Sequence, residues 1–163
     1  MVSKKVTWGL LAAWVVHDLE ELVTMARWTR RHRHVPTTTT PEAAIAIGVV
    51  GVVVAAAAAD GARTGGRSRF FQSVLAGFGL HAVTHVASSA VFRSYTPGVL
   101  TAPTVVAPFS LWAFRRLSRA GVSAKPSSRA LLWFPVIVVS AHGIARLAMR
   151  VRENTARVPD TVS

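Results

Sequence analysis

The sequence predicts an all-α fold, a polytopic membrane helical bundle of about five transmembrane helices, and three observations carry that prediction. Over 163 residues the hydrophobic fraction is 51%, the charged fraction 16% and the mean hydropathy +0.39, too apolar for an ordinary soluble domain of this size. The apolar residues gather into five runs, at about 6–25, 43–59, 70–92, 98–114 and 131–149. Each is long enough, at about 1.5 Å per residue, to cross a hydrocarbon core about 30 Å thick. The connectors between the runs are too short to fold alone, so residues 1–163 read as a single integral membrane domain.

The first run, 6–25, is the least pure, because it holds His17, Asp18, Glu20 and Glu21. Lys4 and Lys5 ahead of it resemble the start of a signal peptide, yet no small-residue cleavage site follows, so it reads as a retained helix. The second run is nearly free of polar side chains. Its Gly51, Ala55 and Ala59 form a stripe suited to close helix contact. The third carries His81 and His85. The fourth contains Pro103 and Pro108, which predict a kinked or irregular span. The fifth carries His142 and Arg146.

The formal charge of +12 and isoelectric point near 11.9 would suit a nucleic-acid binder if the cations formed one face. Instead they lie between apolar runs and divide over both ends of the bundle. Lys4, Lys5, Arg63, Arg67, Arg69, Arg115, Arg116, Arg119, Lys125 and Arg129 fall on the side of the N-terminus. Arg30, Arg31, Arg33, Arg93, Arg150, Arg152 and Arg157 fall on the other. The positive-inside rule then places the N-terminus in the cytoplasm, and the expected partner is the lipid bilayer with no nucleic acid. The tryptophans Trp8, Trp14, Trp28, Trp112 and Trp133 read as belt or packing residues, and Tyr95 as a marker of the membrane boundary. Cysteine is absent, so a metal site must draw on His, Asp and Glu.

A charge at the bilayer centre costs roughly 2.5–3.5 kcal/mol, so the acidic cluster of the first run needs compensation. His17, Glu20 and Glu21 stand at i, i+3 and i+4 and converge on one helical face, with Asp18 at its flank. A divalent cation would let both glutamates ionise and would recruit the imidazole. His81 and His85 repeat the i, i+4 spacing by which two imidazoles grip one ion. Helices one, three and five run the same way, and His17, His81 and His142 each fall about as far into their run, which sets them at one membrane depth. The candidate ligands are therefore His17, Glu20, Glu21, His81, His85 and His142. His32 and His34 belong to the basic connector. A proton-relay cluster is the metal-free alternative for the same residues.

The motifs His17-Asp18-Leu19-Glu20-Glu21, His81-Ala-Val-Thr-His85, Arg93-Ser-Tyr95-Thr-Pro97-Gly98 and His142-Gly143 resemble those of the HXXEE-domain family of small bacterial integral membrane proteins. The resemblance implies a bacterial inner-membrane location and an enzymatic role, without naming a reaction or a substrate.

Six candidate ligands exceed the four a tetrahedral zinc uses. Two ions, iron or manganese, bridged by a glutamate would make a di-iron-type oxidoreductase acting on a lipid or other hydrophobic substrate, with a redox partner. One zinc would leave Glu20 or Glu21 as general base of an intramembrane hydrolase. A metal or proton transporter or binding protein is the non-enzymatic alternative, and the scarcity of polar residues in the second run argues against a conducting path. Asp18, Ser88, Ser89 and Arg146 are expected around the site, with Asp18 accepting from a ligand imidazole and Arg146 either snorkelling to the interface, pairing with Asp18 or anchoring a substrate anion.

Overall fold

The computed structural model describes residues 2–122 and 128–156, with only the course of the helix given for 128–134. Lys125 and Arg157, and the side chains of Arg129 and Trp133, lie outside the described residues. Those residues form an all-α chain without strands: α1 (Lys4–Arg31), α2 (Thr40–Thr64), α3 (Arg69–Phe92), α4 (Ala107–Arg119) and α5 (Ser128–Ala156). A π-helical turn at Ala102–Val106 leads into α4.

Local chemistry sets the helix ends. Ser3 caps α1 by accepting from the Lys5 N–H. Thr39 and Glu42 close a reciprocal capping box on α2, and Gly65, in the left-handed region at φ 61°, ends that helix. Ser68 caps α3, and its hydroxyl donates to Asp60, which also takes Arg63, so one carboxylate ties the α2–α3 turn together. The irregularity of the fourth run falls at the π-helical turn, which contains Pro103 and runs straight into α4, where Pro108 is the second residue. Pro135 lies inside α5.

The main core joins Val6, Leu10 and Trp14 of α1 with Val54 of α2, Phe71, Leu75 and Phe78 of α3, and Val106 and Leu117 around α4. The small-residue face of α2 is displaced from the expected stripe. Gly51 admits the Trp14 indole, against which an added Cβ would stand 2.7 Å from Cη2, but Ala59 is exposed, and the buried small residues of α2 are Ala43, Ala46, Ala57, Ala58 and Gly61. α5 packs on α2 and α3 and, among the described residues, not on α1. A smaller cluster of Ala46, Ala141 and Ala145 holds it to α2. Large apolar side chains also face outward, including Val23 at 78% exposed, Val52, Val83, Val139 and Leu147. α2 and α3 are long and apolar enough to cross a membrane.

Candidate metal centre

α1 and α3 bring four ligand groups to one point. His17, Glu21, His81 and His85 each offer an atom lying within 4.8 Å of the others, an arrangement that could hold a metal ion. Glu21 Oε1 lies 3.2 Å from His85 Nε2, 3.9 Å from His17 Nε2 and 4.0 Å from His81 Nε2. His85 Nε2 is 3.3 Å from His17 Nε2 and 2.7 Å from His81 Nε2. Metal–ligand bonds of about 2.0–2.1 Å in a tetrahedron place donors roughly 3.3 Å apart, so small adjustments would seat an ion. His17 is fully buried and Glu21 largely so.

The partners of the outer ring nitrogens decide what the inner ones do. His85 Nδ1 lies 2.8 Å from the Pro97 carbonyl, which only accepts, so Nδ1 carries the proton and Nε2 presents a lone pair inward. His17 Nδ1 lies 2.8 Å from Thr101 Oγ1, whose own proton goes to Glu20 Oε2 at 2.6 Å, so that ring also donates outward. Thr84 Oγ1 gives its proton to the His81 carbonyl and stands 3.4 Å from His81 Nδ1, the same polarity with a longer contact. The lone pairs of His17 and His85 thus face each other and Glu21, and neither ring brings a proton between them. Acceptors crowded together in a buried site repel unless a cation lies among them. The donor set, three imidazoles and a carboxylate without sulfur, suits zinc, iron or manganese.

Glu20 takes a different place from the one its spacing suggests. It accepts from the Thr101 N–H (2.8 Å), the Leu100 N–H (3.2 Å), the Thr101 hydroxyl and the Tyr95 hydroxyl (2.7 Å). These donors open the turn before α4, so Glu20 works as an anion at a helix start and as an outer support of His17. The physical reason is competition: four donors from the 95–101 loop engage both of its carboxylate oxygens. Tyr95 is accordingly more than a boundary marker. Burial first, and then the hydrogen bond to Glu20 and its charge, push the Tyr95 phenol up to about 12, so it remains a donor at neutral pH.

His142 is not brought into the group, because α5 is separated from α1. It lines a cleft together with Asp18, Glu21 and His81, whose remaining wall is largely apolar, including Trp14, Ile47, Val50 and Phe78. Asp18 is 8% exposed and lies on this cleft rather than behind a ligand imidazole. Arg146 is exposed, and no ion pair joins it to Asp18. Ser89 donates to the Ser94 carbonyl at the end of α3, and Ser88 is half-buried; neither joins the cluster.

The sequence reading missed Thr101, and it named Pro97 and Gly98 in a family motif without giving either a role in the site. Gly98, at φ 82°, lies against both rings: an added Cβ would stand 2.7 Å from His85 Cε1 and 2.8 Å from His17 Cε1. The available signal was Pro97-Gly98, a turn dipeptide close behind the HxxxH helix.

No curated protein and no solved structure matches the chain. Residues 8–113 match a family described as protein of unknown function with HXXEE motif, a stretch that holds the four converging residues, Glu20, Tyr95, Gly98 and Thr101, and stops short of His142. The cluster therefore lies wholly within the part of the chain that defines its kinship, and the protein belongs to this HXXEE family.

Proposed function

We propose that this chain is a membrane-embedded enzyme that holds one divalent metal ion on His17, Glu21, His81 and His85 and acts on a hydrophobic molecule entering the cleft beside them. The observation that carries this reading is the inward convergence of three imidazole nitrogens and one carboxylate whose outer partners fix their direction. Embedding is supported by the outward-facing apolar side chains. It is supported too by the low burial of the apolar windows of α2 and α3, 28% and 22%, where the core helix of a soluble protein would be mostly covered.

One ion accounts for the cluster better than two, because the four donors include only one carboxylate and Glu20 is engaged elsewhere. A bound ion would supply Lewis-acid polarisation of a substrate oxygen. The chain's own contribution would be an apolar wall that takes up an acyl or similar chain, and Asp18 on that wall as the base that receives a proton from a nucleophilic water. Metal-dependent hydrolysis of a lipid-like ester or amide is the reading these features favour. The binuclear oxidoreductase keeps one supporting observation, since Asp18 and His142 share the cleft with Glu21 and His81 and offer further ligands.

The test is turnover of acyl-ester amphiphiles by purified protein loaded with zinc. Hydrolysis lost in Asp18→Asn with metal content unchanged supports the assignment. Absence of hydrolysis together with iron-dependent oxygen consumption would replace it with the oxidative reading.

A further inference from the structure

The C-terminal end of α1 borders a second pocket, which holds none of the four converging ligands and touches the metal centre through Tyr95. A pocket there includes Arg27, Trp28, Arg31, His32, Ser94 and Tyr95 in its wall, and no carboxylate lines it. Arg27 and Arg31 are exposed and one helical turn apart, so their guanidinium groups overhang the same face. Neither has an acidic partner among the described residues. Beneath them the floor is fixed. His32 stacks on Trp28 with ring centroids 4.3 Å apart, and Phe92 meets both rings edge-on at 5.1 and 5.6 Å. The Trp28 indole donates to the Tyr95 carbonyl at 2.7 Å, and His32 Nδ1 lies 2.9 Å from the Trp28 carbonyl.

Two unpaired guanidinium forks over a rigid aromatic floor match the planar, multi-oxygen face of a phosphate. The partial negative charge of the helix C-terminus opposes an anion there, but it is worth about half a charge against two full ones. Placement supplies the source. A similar basic and aromatic pocket at the opposite end of α1 contains Lys5, Trp112, Arg116 and Arg119, with the Arg116 guanidinium 5.7 Å from the Trp112 ring centre. Lys5 and Arg31 are separated along α1 by about 39 Å at the helical rise, more than the roughly 30 Å hydrocarbon core and less than the roughly 40–45 Å of a bilayer with its headgroup regions, which sets both ends of α1 at headgroup level.

We infer that the Arg27–Arg31 pocket binds the phosphate of an anionic lipid headgroup at the membrane surface. The inference rests on the embedding proposed above and not on the metal assignment. The test uses the full chain in phosphatidylcholine nanodiscs doped with phosphatidylglycerol, with retained lipid counted by native mass spectrometry. The double variant Arg27→Gln/Arg31→Gln should retain one phosphatidylglycerol fewer per chain, with helical content unchanged, and Arg27→Lys/Arg31→Lys, which keeps the charge without the forks, should retain it less often than the native chain. An unchanged count in the glutamine variant overturns the site. Displacement of that lipid by inorganic phosphate at low millimolar concentration overturns the lipid assignment in favour of a soluble phosphate. Flotation after an alkaline carbonate wash reads embedding separately. A chain that stays with the bilayer but keeps its lipid count in the glutamine variant refutes the pocket alone, whereas a chain released by carbonate refutes the embedding.

Discussion

Thr101 stands between a carboxylate and an imidazole, and its single hydroxyl proton sets how both behave. Because that proton is given to Glu20, the oxygen must accept from His17, which leaves His17 Nε2 as a lone pair facing Glu21 and His85. Thr101→Val keeps the shape and removes the relay, so metal affinity should fall about 10- to 100-fold, as for other outer supports of metal ligands, with helical content unchanged. Competition with a chelator of known affinity checks it. Tyr95 offers a second test, since it is the only tyrosine in the chain and its phenolate absorbance titrates alone. Its ionisation should centre near 12 in the native protein and move back toward 10.0 in Glu20→Gln. The sign follows from linkage: a phenol whose value is raised by folding contributes stability below pH 10.0, and that contribution disappears as pH rises toward 12. At this scale the sequence was partly legible. The i, i+4 spacings of His17 with Glu21 and of His81 with His85 sufficed to find the cluster, because both pairs lie on single helices. Glu20 was misdirected, since helical spacing places it on the right face but says nothing of donors arriving from a loop 75 or more residues later.

The element that completes the site is the connection between α3 and α4. Residues 95–101 supply the Pro97 carbonyl to His85, the Thr101 hydroxyl to His17 and four hydrogen bonds to Glu20, so this short turn orders two of the three imidazoles. Its path needs Gly98 in the left-handed region with both rings against its Cα. Gly98→Ala should cost about 1–3 kcal/mol from the backbone alone. The methyl should also push the two imidazoles apart. A lowered melting temperature together with loss of metal binding is expected, whereas Gly143→Ala, inside α5 where an added Cβ meets nothing within 4 Å, should lower neither. Helix α5 shows the limit of depth arguments. Equal distance along parallel runs puts His142 in the same slab as His17, but lateral placement depends on packing, and α5 docks on α2 through Ala46, Ala141 and Ala145. Periodicity records neither which helices touch nor how far apart the others stand.

For the whole molecule, the distribution of apolar and basic residues is one design. Apolar side chains face outward along the helices, arginines with tryptophans mark both ends of α1, and the polar groups that do not suit hydrocarbon are gathered inward around His17. Under the embedding proposed above, the net charge of +12 would serve the membrane surface, at odds with its first appearance as a nucleic-acid signature. The all-α class was legible because apolar runs of helical length persist whatever the packing, while the turn that bonds Glu20 was not, because it depends on tertiary contacts. His142→Ala should leave metal content unchanged, since α5 lies outside the cluster. The central claim is that α1 and α3 together clasp a single cation. Elemental analysis of the purified chain beside a His81→Ala/His85→Ala variant tests it most directly. One metal ion per chain that is lost in the variant is the predicted result; two ions per chain, none, or equal metal in both proteins would contradict it.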